Sequence, residues 1–130
     1  ELNQATLEGA DLSRANLTEA ILTNTNLKNA FLVGANLQKA DLEEVMLENA
    51  DMAGVKLRSA NLKNGNLKKV DLRRADLEHA DFTKANLSSA NFTGAKMSES
   101  LFIDANLTEA KMDSADTTDA QFQGAIGFKA

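Results

Sequence analysis

The sequence predicts an all-β fold, a four-sided solenoid, and three observations predict it. An apolar residue recurs every fifth position over 130 residues. A small residue stands two positions before each of these centres, and opposite charges repeat at a spacing of twenty.

The period comes first, because internal repeats decide the architecture. Written in fives, the chain is twenty-six tandem repeats with Leu, Met or Phe at Leu2, Leu7, Leu12 and onward to Phe122, broken only by Thr117 and Gly127. Alanine fills the small position except at Thr25, Val45, Val55, Gly65, Val70 and Ser100. Between them stands most often Asn or Asp, as at Asp11, Asn16, Asn26 and Asp41, and the last two positions are mostly polar. On an α-helix successive centres would fall about 140° apart and smear around the cylinder. In a straight strand they would alternate between faces. The period therefore requires a corner every five residues, with the small residue and the centre pointing inward from a short extended step.

The two residues after each centre make the corner. Gly9, Gly34, Gly54, Gly94 and Gly124, with Asn24, Asn29, Asn49 and Asn64, occupy its second position. Gly and Asn tolerate the positive φ of a type II turn there. Lys39, Lys69 and Arg74 at the same position suggest type I turns instead.

Charge sets the coil length, since equivalent residues of stacked coils lie about 4.8 Å apart. At a spacing of twenty there are eleven opposite-charge pairs against two like-charge pairs; at fifteen the count is eight against four. Glu8–Lys28–Glu48–Lys68 and Lys56–Asp76–Lys96–Asp116 form alternating ladders, joined by Glu19–Lys39, Glu43–Lys63, Arg58–Glu78, Lys84–Asp104 and Glu109–Lys129. Four sides per coil give about six and a half coils and a column roughly 30 Å tall.

Repeats such as Ala10-Asp11-Leu12-Ser13-Arg14 and Ala85-Asn86-Leu87-Ser88-Ser89 resemble the A-[D/N]-L-x-x motif of the pentapeptide-repeat protein family. The resemblance covers nearly the whole chain and implies a right-handed quadrilateral β-helix. Residues 1–130 then form a single solenoid domain, in which Ala125-Ile126-Gly127-Phe128 departs from the motif and 125–130 is the expected C-terminal cap. Some members of the family are DNA mimics that bind type II topoisomerases, and many occur in cyanobacteria without assigned biochemistry.

The interior expected from the register is four columns of centres. One changes from leucine to phenylalanine halfway: Leu2, Leu22, Leu42, Leu62, Phe82, Phe102, Phe122. The Asn and Asp side chains are expected to hydrogen-bond neighbouring backbone, which accounts for their abundance.

Composition removes several functions. A net charge of −5 argues against direct nucleic-acid binding through phosphate contacts. There is no Cys for thiolate or disulfide chemistry, and no apolar run long enough for a membrane span. His79 is the sole histidine, in an outward turn position, with nothing to complete a zinc or nucleophilic site. Asp11, Asp51 and Asp71 share a face, which a structural role in the ladder explains better than a cation site. Arg58, Lys63, Lys68, Lys69, Arg73 and Arg74 wrap the column as a belt, with Lys69, Arg73 and Arg74 the least neutralised. No catalytic residue, cofactor site or metal site is expected.

Apolar residues break the polar rule on the outside, in pairs at two places. Phe31 and Val33 flank Leu32, and Leu101 and Ile103 flank Phe102; these pairs are the candidate partner-contact residues. Ile21 and Met46 are isolated. The expected function is a non-enzymatic protein-interaction or scaffolding solenoid. The alternative is a DNA-mimicking modulator of a type II topoisomerase, disfavoured by the basic belt. The expected partner is another protein, and the expected state in dilute solution a monomer. Glu1-Leu2 already lies inside a repeat with no initiator Met before it, so the chain reads as trimmed. A soluble compartment is expected, the cytoplasm slightly favoured.

Overall fold

One repeat, Asp41 to Val45, shows how the chain is held. In the computed structural model, which describes residues 1–128, each of its five N–H groups has a partner. Asp41 donates back to Ala20 O (2.9 Å), while Leu42 and Glu44 donate forward to Asn61 O (2.7 Å) and Lys63 O (2.9 Å). Val45 closes the corner onto Leu42 O (3.1 Å). Glu43 donates to the Asp41 side chain, Oδ1 at 3.2 Å. Three bonds thus run between coils, one closes the turn, and the fifth falls to a side chain.

That fifth bond explains the Asn and Asp column. Every one of the fifteen Asn or Asp residues at this position accepts the N–H two residues on. An amide and a carboxylate serve alike because only the acceptor oxygen is used.

The coil is twenty residues. Twenty-one parallel bridges join residues twenty apart, from Thr6 with Asn26 to Asn106 with Ile126. Each side of a coil contributes one bridge and each corner one turn, so the described residues contain no helix. We number the sides by their first coil: side 1 begins at Glu1, side 2 at Thr6, side 3 at Asp11 and side 4 at Asn16.

The corners depart from expectation. Lys39, Lys69 and Arg74 have φ of 61°, 61° and 58°, so they adopt the same left-handed conformation as the glycines, and the type I reading is wrong. All second corner positions from Gln4 to Gly124 share positive φ, the type II arrangement. A non-glycine residue there costs about 1–2 kcal/mol. The conformation persists because it aims the residue's N–H at the next coil: Lys39 donates to Arg58 O at 2.9 Å and Lys69 to Ser88 O at 2.9 Å. Local preference yields to the ladder.

The core is the predicted set of columns. The centres from Leu22 to Leu107 are buried, and the rings of Phe82 and Phe102 stack at 5.0 Å and 4°, those of Phe102 and Phe122 at 5.2 Å and 6°. Phe92 meets Phe102 edge-on at 5.8 Å. Polar substitutes at small positions are satisfied: Thr25 Oγ1 donates to Leu2 O at 2.6 Å and Ser100 Oγ to Met97 O at 2.5 Å. Gly65 answers its neighbour one coil back, because a Cβ there would stand 3.3 Å from Val45 Cγ1 and 3.0 Å from Leu67 Cδ1.

At the C-terminal end, Gly127 takes a centre position with φ of 79°. A Cβ there would lie 2.6 Å from the Thr108 backbone. Phe128 stacks on Phe122 at 3.8 Å and extends the aromatic column. Of the expected cap over 125–130, residues 129 and 130 lie outside the described residues, as does Lys129 of the expected Glu109–Lys129 pair.

Candidate functional site

Since the inside of the column is filled by its own side chains, what the molecule offers is its four sides. Each presents the residue before the centre and the corner residues after it, in rows spaced by the coil. The Asn and Asp rows are already committed to the backbone. Asp11, Asp71 and Asp116 are held below the usual carboxylate range. The causes are the Ser13 N–H for Asp11, the Arg73 side chain for Asp71 and the Thr118 hydroxyl for Asp116.

The charge ladders are partly closed. Lys28 reaches Glu48 at 3.9 Å and Arg58 reaches Glu78 at 2.5 Å, both in register at twenty. Arg58 also takes Asp76 (3.4 Å) and Lys63 takes Asp81 (3.7 Å), diagonal contacts at a spacing of eighteen. Long side chains reach across to the next row, so register alone does not choose the partner. Arg73 corrects the expectation that it is poorly neutralised. It grips Asp71 through Nε and Nη2 at 2.7–3.1 Å, which raises its own pKa above the ordinary arginine value. Lys69 and Arg74 have no carboxylate within 4.0 Å among the described residues.

The expected contact residues fall into two unlike pairs. Phe31 and Val33 are 49% and 39% exposed on side 3. Leu101 and Ile103 are only half-buried, and they sit on side 1, opposite and three and a half coils away. Leu101 is bridged between Asp81 and Gln121, Phe31 between Asp11 and Asp51. The structure therefore does not bring the pairs together. Ile21 and Met46 are exposed on sides 1 and 2, and Ile126 is exposed near the C-terminal end.

The other candidates resolve simply. His79 is half-exposed at a side 4 corner, with Nε2 3.6 Å from Glu99 Oε1. Asp51 and Asp71 are bridged neighbours as predicted. No group of His, Cys, Asp and Glu among the described residues has the arrangement of a metal site. A hollow of about 510 Å³ at the C-terminal end is lined by Leu107, Met112, Gly127 and Phe128 with Glu109 and Asp113, so its floor is core rather than converging polar groups. No helix of the described residues is long and apolar enough to cross a membrane.

A family model described as pentapeptide repeats matches residues 1–38, 35–74 and 60–98. Among solved structures, HetL of the cyanobacterium Nostoc sp. strain PCC 7120, a protein involved in heterocyst differentiation regulation, is 31% identical. The match covers 95% of this chain and 62% of HetL, with a TM-score of 0.65. A second pentapeptide repeat protein of Nostoc PCC 7120 is also 31% identical, over 66% of this chain and 69% of its own, with a TM-score of 0.62. QnrB1, a plasmid-mediated fluoroquinolone resistance protein, shares the fold at 16% identity over 95% of this chain and 65% of its own, TM-score 0.54. No curated protein sequence matches the chain. This chain thus spans about three fifths of HetL's length.

Proposed function

Because this chain belongs to the pentapeptide-repeat family, whose fold is the right-handed quadrilateral β-helix, we propose that it is a non-enzymatic interaction scaffold. Its lateral surface, with Phe31 and Val33 foremost, engages another protein. The observation that carries the reading is their exposure on a rigid side, at positions the repeat reserves for polar groups. Leu101 and Ile103 are a secondary contact. A regulatory role accords with HetL, which is involved in heterocyst differentiation regulation, although this chain spans only part of that protein.

Each apolar pair is smaller than the roughly 800 Å² per partner of a stable interface, so the contact extends over neighbouring polar rows. The same argument makes the chain a monomer in dilute solution. The alternative, a DNA-mimicking modulator of a type II topoisomerase, is less well supported. Cations stand on every side, Lys63 and Lys84 on side 1, Lys28 and Lys68 on side 2, Arg14 and Arg74 on side 3, Lys56 and Lys96 on side 4. The purified chain is expected not to inhibit DNA supercoiling, and saturable inhibition at micromolar concentration would reverse the ranking.

The double change Phe31→Ser with Leu101→Ser tests the scaffold reading. It should leave the circular dichroism spectrum and unfolding midpoint near wild type while weakening partner capture. Unfolding would show both side chains to be structural; undiminished capture by a folded variant would remove recognition from these patches.

A further inference from the structure

We propose that the corner beside Phe31 and Val33 receives an extended acidic segment of the partner, lying along the solenoid axis with one apolar side chain in a notch floored by glycine. The inference rests on the scaffold reading and adds the chemistry of what is bound. Shape, charge and an uncapped backbone group carry it.

Val33, Gly34, Ala53, Gly54 and Arg74 line a shallow hollow of about 330 Å³. Gly34 and Gly54 follow one another on the same corner, where other coils carry Arg14 and Arg74, and the space over Gly54 is open. Exposed Val33 lines it on the side 3 edge, and exposed Phe31 stands two residues before on the flat of that side.

Cations bracket this notch. The Arg14 side chain lies over Gly34, its Cγ 3.4 Å from where a Cβ would stand, and Arg74 lines the other end, with its Cγ leaning toward Gly94 of the following coil. Neither has a carboxylate within 4.0 Å among the described residues. Lys56, two residues past Gly54, is exposed and likewise unpaired, because its in-register partner Asp76 is held by Arg58 at 3.4 Å. The carboxylates nearby stand on the flat of side 3 and are occupied. Asp11 accepts the Ser13 N–H and Asp51 the Ala53 N–H, while Asp71 is gripped by Arg73. The corner therefore carries Arg14, Arg74 and Lys56 outside any ion pair among the described residues, with Asp11 and Asp51 on the adjoining flat.

The backbone points the same way. Phe31 replaces the Asn or Asp that would cap the N–H two residues on, and the Val33 N–H donates to no backbone carbonyl of the described residues. A partner carbonyl or carboxylate oxygen would supply the acceptor that the repeat omits at this one place beside the notch.

Dimensions narrow the ligand. Arg14 and Arg74 are three coils apart, about 14 Å at the strand spacing. An extended chain advances about 3.3 Å per residue and turns alternate side chains to one side. Acidic residues four apart thus span roughly 13 Å, and the residue midway between them faces the notch. The segment is of the form Glu-x-Leu-x-Glu.

The test is an amide NMR titration of the labelled chain with the blocked peptide Ser-Glu-Ser-Leu-Ser-Glu-Ser, and with the same peptide carrying Lys for Glu. The acidic peptide should shift the Val33, Gly34, Ala53 and Gly54 amides saturably in the millimolar range, and the lysine peptide should not. Arg14→Gln with Arg74→Gln, both exposed and neutral in shape, should weaken binding about two- to thirtyfold, the range of two exposed ion pairs. Shifts that do not saturate, that centre on another side, or that the lysine peptide reproduces would overturn the proposal. A photo-cross-linking benzoylphenylalanine placed at position 31 separates it from the scaffold reading. A natural partner cross-linked there and indifferent to the two arginine changes leaves the scaffold standing and removes the acidic segment; a cross-link that fails when the arginines are changed supports both.

Discussion

Replacing Gly65 by Ala should destabilise the fold, although Ala is what the repeat places at most equivalent positions. The φ of Gly65 is not in the left-handed region, so Ala meets no backbone penalty and would restrict the unfolded chain, a gain of about 0.4–1 kcal/mol. Against this, the new Cβ would stand 3.0 Å from Leu67 Cδ1 and 3.3 Å from Val45 Cγ1, both buried. The third contact, 3.2 Å from Leu62 O, belongs to the turn itself, where alanines sit in the other repeats. Overpacking of this kind costs about 1–3 kcal/mol, so the net loss is up to about 2.5 kcal/mol, centred on about 1. Val45→Ala removes the contact at 3.3 Å and vacates space into which Leu67 Cδ1, the closer contact, can turn. In that background Gly65→Ala should be neutral or stabilising, with a coupling energy of about 1 kcal/mol or more between the two sites. Urea unfolding of the four proteins of the cycle measures it. A higher midpoint for Gly65→Ala alone, or strict additivity, would show that the small-residue column is not packed to the tolerance argued.

Three further outcomes are expected. Leu62→Ala opens a cavity in a closed column and should cost about 2–5 kcal/mol, against under about 0.5 for Lys63→Ala; comparable midpoints would place Leu62 outside the core. Asn36→Ala strips the Gln38 N–H of its acceptor and should cost about 0.5–1.5 kcal/mol, whereas Asn36→Asp keeps the oxygen and should cost less. Asp71, whose folded pKa is lowered chiefly by Arg73, contributes stability that is fully present above the ordinary Asp value near 3.9 and lost as pH falls through the folded value. Asp71→Asn should therefore flatten the acid end of a stability–pH curve, and an unchanged acid slope would count against the pair.

The columns of the core were legible because a filled interior constrains side-chain size at every turn: Phe82, Phe102 and Phe122 can share a column only if the coil is twenty. The role of the Asn and Asp row was equally readable, since its chemistry is local. What escaped the sequence depends on neighbours one coil away. Lys39, Lys69 and Arg74 carry no sign of left-handed backbone, which the inter-coil bonds impose on them. Arg73 looked like free positive charge because its partner Asp71 lies two residues back, not twenty. On the candidate surface, exposure of Phe31 and Val33 followed from position alone. The deeper seat of Leu101 and Ile103, and the notch at Gly34 and Gly54, depend on what the adjoining coils place beside them.

The corner every five residues gives insertions a geometric meaning. Adding one repeat acts on everything beyond it as a quarter-turn screw, carrying a patch such as Phe31 and Val33 from one side to the next. Adding four acts as a pure translation of about 4.8 Å, which keeps direction and changes only height. Deletions reverse these operations. The two coordinates of a surface site, azimuth and elevation, can therefore be changed by chain length alone, with no change in the residues that make the contact. A lineage that gains or loses repeats can re-aim an old binding surface while the column beneath it stays the same kind of object.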